Sequence, residues 1–183
     1  MRNINEKQVL EAIPRTKMGL NKYCAIQAIL RSGTPVSDKE FQRLFNGFYK
    51  VRGRTQSWYE SFYSIFETAR QENWSFETIL RNILSETGRV EASFSSKVRA
   101  SIDENSAVID SIVLNNLGLQ LPKSNDPLRL SKIIQLYEDL NNELKRISKS
   151  PIGIFIEKEF FDYHKACSIT PIKALDLTLW QIR

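Results

Sequence analysis

Apolar residues recur in this chain at intervals of three and four almost from end to end, and that spacing commits it to helices. Phe41, Leu44, Phe45 and Phe48 form one such set; Trp58, Phe62, Ile65, Phe66 and Ala69 form a second. Val90, Phe94, Val98 and Ile102 form a third, and Leu130, Ile133, Ile134, Tyr137, Leu140 and Leu144 a fourth. Each draws a stripe down one face of an α-helix. Alternation with a period of two, the mark of a half-buried strand, is confined to Ile152–Ile156, which also reads as helix. The fold class expected is therefore all-α.

Start and stop signals divide the pattern. Ser37 with Glu40 reads as a capping box ahead of Phe41. Asp126-Pro127 and Thr170-Pro171 each place a capping side chain before a proline at the first helical position. Ser75 and Asp110 open further helices, and Gly118 ends the one that Asp110 begins. The sequence predicts about ten helices, near 5–13, 19–31, 37–49, 56–71, 75–86, 90–102, 111–117, 127–148, 151–164 and 171–182. Gly118–Asp126, with Pro122, Ser124 and Asn125, is the expected seam between subdomains.

Composition excludes several classes. A chain of 183 residues with 42% hydrophobic and 26% charged residues can bury a core, and its 7 glycines and 6 prolines are too few for low complexity. No apolar run is long enough to span a membrane, and no apolar segment follows Met1–Lys7 as a secretory signal would require. A cytoplasmic protein is expected. The two cysteines, Cys24 and Cys167, lie far apart and read as plain thiols, and His164 is the single histidine, so neither a metal nor a Ser-His-Asp triad is expected. No cofactor is expected. The net charge of +5 favours an anionic partner.

The positive charge has two foci. The turn Lys50-Val51-Arg52-Gly53-Arg54 carries three cations with no acidic residue close in sequence, and reads either as a solvated loop or as a phosphate contact. The second focus is Arg89, Lys97 and Arg99, opposed by Glu91. Its helix also carries Ser93, Ser95, Ser96 and Ser101, hydroxyls that suit close approach to a phosphate backbone and are equally ordinary on a solvated face. Nearly half of the aromatics fall between Phe41 and Phe66; their helical spacing favours core packing, with Tyr49, Trp58 and Tyr59 as candidates for stacking on a base.

The segment Glu86-Thr87-Gly88-Arg89-Val90-Glu91-Ala92, followed by a helix, a loop and Val108-Ile109-Asp110-Ser111, resembles the helix-hairpin-helix DNA glycosylase superfamily of the endonuclease III type. The interval from Gly88 to Asp110 and the following Ile112-Val113…Leu117-Gly118-Leu119 are similar to that family's pattern. The resemblance covers Phe76 to Leu119. It implies a hairpin whose backbone grips one DNA phosphate and an aspartate, Asp110, that caps a helix and faces a flipped nucleotide. It also implies two lobes, a hairpin lobe near 37–119 and a second lobe from 1–36 and 120–183. The second hairpin glycine of the family is replaced here by Val90, its nucleophilic lysine position falls near Ala92, and its four-cysteine cluster motif is missing.

The expected function is a DNA-binding protein that hydrolyses an N-glycosidic bond on a flipped base, without a Schiff-base intermediate. Asp110 would be its electrostatic or general-base residue. Lys50, Arg52, Arg54, Gly88, Arg89 and Lys97 would contact DNA. Asp110 is equally what an N-cap requires. Two alternatives therefore stand beside the enzyme: a non-catalytic module on the same scaffold that binds DNA or another protein, and a plain helical interaction domain.

Overall fold

A computed structural model describes residues 4–165 and 168–183; Cys167 lies outside the described residues. Among the described residues every regular element is helical. In chain order they are α1 (Glu6–Arg31), α2 (Lys39–Tyr49), α3 (Gln56–Gln71), α4 (Phe76–Thr87), α5 (Ala92–Ile102), α6 (Ser111–Leu117), α7 (Arg129–Ser148), α8 (Pro151–Tyr163) and α9 (Pro171–Gln181). The segment Ile152–Ile156, the one strand-like stretch, lies within α8.

Two expected helices, 5–13 and 19–31, are one. α1 runs straight through Pro14, although proline removes a backbone donor from a helix interior. Pro14 and Leu10, whose carbonyl loses that donor, are both exposed. The caps at Ser75, Thr170 and Asp110 form as read, each side chain accepting a backbone N–H of the first turn. Two others shift. Asp38, not Ser37, caps α2 by accepting from Phe41 N at 2.9 Å, while Glu40 pairs with Arg43 instead of reaching back. Asp126 takes the Leu128 N–H at 2.9 Å, making a turn before α7 rather than its cap.

The chain forms two compact units, one from its start to Leu20 with Glu104–Arg183, the other Asn21–Asp103. These bounds differ from the 37–119 lobe and the Gly118–Asp126 seam read from the sequence. The reason lies in what the flanking elements bury. Tyr23 and Ile26 of α1 enter the core of the 21–103 unit, with Tyr23 against Phe48 at 6.0 Å between centroids. α6 belongs with α9, because the Asn116 side-chain amide donates to the carbonyls of Leu179 and Ile182 at 2.9 and 3.0 Å.

The 21–103 unit is packed around the aromatic run. Phe41, Phe45, Phe62 and Phe66 are sealed from solvent. Phe45 and Phe66 lie 5.2 Å apart, and Trp58 stacks on Phe62 at 4.9 Å. Such pairs add about 0.5–1.5 kcal/mol each beyond simple burial. The other unit buries aliphatic residues, among them Val9, Ile133, Leu140, Leu144, Ile109 and Leu179, with Phe160.

Candidate functional site

The hairpin is built as its sequence dictates. α4 ends at Gly88, whose φ of 67° is left-handed and costs other residues strain; its N–H returns to Leu84 O at 2.8 Å. The Thr87 hydroxyl donates to Ile83 O at 2.6 Å and accepts the Arg89 N–H at 3.3 Å, closing the turn. α5 begins at Ala92 with Glu91 in the capping position, yet the Glu91 side chain makes no capping bond.

That carboxylate is directed elsewhere. Glu91 Oε1 lies 2.7 Å from Arg54 Nη2, with side chains only 14% and 22% exposed. The Arg54 guanidinium is held between two rings, 5.2 Å from the centre of Trp58 and 5.3 Å from that of Phe94. Lys97 Nζ sits 4.9 Å from the Phe94 ring and donates to Tyr49 O at 3.1 Å. The acidic neighbour that the Lys50–Arg54 turn lacks in sequence therefore arrives from the N-cap of α5. The pair joins the turn and the hairpin, two basic foci that the sequence reads as separate, along one edge of the 21–103 unit. Lys50, Arg52, Gly88 and Arg89 are exposed on these two loops. Among the described residues no acid pairs with Arg52 or Arg89. Lys50 takes a left-handed φ of 56° as the C-cap of α2.

Three of the four serines of α5 do neither thing the sequence suggested. Ser95, Ser96 and Ser101 are buried, and their hydroxyls donate to the carbonyls of Glu91, Ser93 and Lys97. They are small residues that let α5 pack closely. Arg99 bridges Asp103 at 2.9 Å and donates to Asn73 and the Trp74 carbonyl. Tyr49 and Trp58 are buried, and the Tyr59 hydroxyl donates to Val51 O, so these rings hold the turn. A groove of about 480 Å³ between α3 and α4, lined by Glu60, Ser64, Trp74, Asn82 and Glu86 among others, contains none of the expected site residues.

Asp110 stands in the other unit. Its Oδ1 accepts the Ile112 N–H at 2.8 Å, capping α6, and its Oδ2 takes no hydrogen bond among the described residues. The segment that leads to it is fastened at two points. The Thr170 hydroxyl donates to Glu104 O at 3.0 Å, and Asn141 Oδ1 accepts the Ala107 N–H at 3.0 Å. On α9, Lys173 and Asp176 form an ion pair of 3.0 Å with the residues 2% and 6% exposed. Burial raises the Asp176 carboxyl above its ordinary range; the Lys173 charge opposes this, and the negative charge of Asp110 adds to it. In the sequence the pair shows only as Lys173…Asp176…Trp180 on the C-terminal helix, and no role follows from it there.

Among the described residues no group of His, Cys, Asp and Glu could hold a metal ion, and no helix is long and apolar enough to cross a membrane. Cys24 is a half-buried free thiol. Comparison with protein-family models, with curated proteins and with solved structures found no match.

Proposed function

We propose that this protein binds duplex DNA through the phosphate backbone, with the Lys50–Arg54 turn and the Gly88–Arg89 hairpin as the contact edge, and that it excises a base with Asp110 as the electrostatic residue. The observation that carries the binding reading is the Arg54–Glu91 ion pair, because it sets two basic loops side by side. Exposed Arg52 and Arg89 and the left-handed turn at Gly88 supply cations and accessible backbone on that edge. For the chemistry, Asp110 offers a carboxylate oriented by its cap bond, with one oxygen left to stabilise a sugar cation or orient a water. Ala92 provides no amine, so the bond is cut by water, with no Schiff base and no strand cleavage.

The cap bond at Ile112 also favours a second reading, a DNA-binding module in which Asp110 only begins a helix. Titrating a labelled duplex at stepped salt tests the shared part. Arg52→Ala and Arg89→Ala should each flatten log K against log[salt] by ~0.9. Wild-type protein with no salt-sensitive affinity for duplex DNA overturns both readings. A panel of modified duplexes separates them: Asp110→Asn keeps the cap and should slow base release by ~10²-fold or more if Asp110 is catalytic. No release from any duplex by wild-type protein leaves the module.

A further inference from the structure

The groove between α3 and α4 lies within the 21–103 unit and shares no residue with the edge proposed for DNA. The short connection 72–75 folds α4 back along α3. Glu60, near the start of α3, and Glu86, near the end of α4, therefore share one end of the groove, and Thr68 and Trp74 share the other. Buried Ile65 lines the stretch between them. At a helical rise of about 1.5 Å per residue, Glu60 and Thr68 stand roughly 12 Å apart along α3.

The polar groups of this groove are unevenly used. The Thr68 hydroxyl donates to Ser64 O at 3.2 Å, an Asn82 side-chain N–H to Thr78 O at 2.8 Å, and the Trp74 indole N–H to Glu72 at 2.6 Å. Those donors are spent on the protein itself. Among the described residues Thr68 Oγ1, Asn82 Oδ1 and the Glu86 carboxylate accept no hydrogen bond, and Glu60 accepts only from Gln56 Nε2, at 3.0 Å. The cations of the neighbouring helices are committed elsewhere: Arg70 pairs with Glu67, Arg81 with Glu77 and Arg99 with Asp103. No cation, Arg89 included, pairs with Glu60, Glu72 or Glu86 among the described residues.

Open acceptors and unneutralised carboxylates, in a chain of net charge +5, suit a ligand that brings only donors and positive charge. They repel a phosphate. The two ends of the groove each offer a cation something different: a pair of carboxylates at one, an indole ring beside Glu72 at the other. We infer that the groove binds a linear polyammonium cation, with one ammonium between Glu60 and Glu86, the methylene chain along Ile65 and a second ammonium against Trp74. Spermidine is long enough to engage both ends, and putrescine is not.

The test uses the full chain without DNA. Spermidine is titrated into nitrogen-15-labelled protein at low salt, and the Trp74 indole and the amides of Ser64 and Asn82 should shift along one binding curve. The double variant Glu60→Gln with Glu86→Gln should weaken binding by ~10-fold or more, since both charge-assisted contacts are lost. Trp74→Leu, read at the Ser64 and Asn82 amides, should weaken it by ~2–5-fold. Glu60 and Glu86 are exposed, so their replacement spares the fold. Glu138→Gln removes an exposed carboxylate on α7 and should change affinity by less than ~2-fold. Absence of shifts at Trp74 and Asn82 up to ~10 mM spermidine overturns the inference. Equal shifts with magnesium ion, or a Glu138→Gln effect as large as that of the double variant, show diffuse charge attraction and overturn it too. Tighter binding of arginine amide than of spermidine overturns the polyammonium assignment in favour of a single side-chain cation.

Discussion

Arg54 separates an internal clamp from a DNA contact, and the two roles predict opposite results. Arg54→Ala removes a cation seated against Trp58 and Phe94, at about 0.5–1 kcal/mol for each contact. It also leaves Glu91, whose side chain is 14% exposed, without its counter-charge, at ~1–3 kcal/mol. Some solvent still reaches both groups, so the lower half of the sum is expected, about 2–3 kcal/mol. In a chain of 183 residues that corresponds to a fall in Tm of ~5–10 °C. Arg52→Ala touches an exposed side chain and should stay within ~0.5 kcal/mol.

Native-state hydrogen exchange gives the local readout. Arg54→Ala should speed exchange at the first amides of α5, whereas Arg52→Ala should not. Glu91→Gln keeps the stacking and removes the charge, at ~1 kcal/mol, and the double variant with Arg54→Ala should cost less than the two single changes added together. If Arg54→Ala and Glu91→Gln each cost under ~0.5 kcal/mol and simply add, the pair is a surface contact, and Arg54 is free to meet a phosphate.

Three further outcomes follow from other positions. His164 Nε2 lies 2.8 Å from Thr16 Oγ1, whose own hydroxyl donates to Ile13 O, so the ring nitrogen is the donor. Burial lowers the His164 pKa from its ordinary 6.5, Lys17 adds to this and the Ile13 carbonyl partly offsets it; the folded chain binds this proton more weakly, so stability is full above that value and declines as pH falls below it. His164→Gln should remove that part of the acid sensitivity in thermal melts from pH 7 to 5. At Gly153, an added Cβ would meet Ile147 O at 1.9 Å, a backbone atom that cannot yield cheaply, so Gly153→Ala should cost at least ~2–3 kcal/mol in urea unfolding. Pro14→Ala should stabilise by about 1–2 kcal/mol, because the ~3 kcal/mol helix penalty of proline exceeds the ~1 kcal/mol it saves in unfolded-chain entropy; a lower Tm would show that α1 needs the proline.

The helices were legible wherever one face is apolar and a short polar side chain precedes it, as at Ser75 with α4 and Thr170 with α9. What failed was local competition. Proline is read as a break, yet α1 continues through Pro14, where the carbonyl that loses its donor belongs to an exposed residue, Leu10. Ser37 and Asp38 are both able caps, and the spacing to Glu40 favoured the wrong one. α5 is read by its larger side chains, yet Ser95, Ser96 and Ala100 are as fully buried as Val98, and no hydropathy pattern announces the burial of the two serines.

The site was harder to read because charge pairing is a long-range property. Arg54 and Glu91 stand far apart in sequence, and nothing local marks them as partners. The same holds for Asp110 and Asp176, which only the fold brings within each other's field. This changes the expected strength of DNA binding. With Arg54 paired to Glu91 and Lys97 bonded to Tyr49 O, the exposed arginines left on the contact edge proposed for phosphates are Arg52 and Arg89. Two contacts give a slope of log K against log[salt] of about −1.8, where the five cations read from the sequence would give about −4.5. A measured slope near the larger figure would mean that Arg54 and Lys97 leave their internal partners when DNA binds. The ring stack around Arg54 would then be a latch that opens on the duplex, and the amides at the start of α5 would exchange faster in the complex than in the free protein.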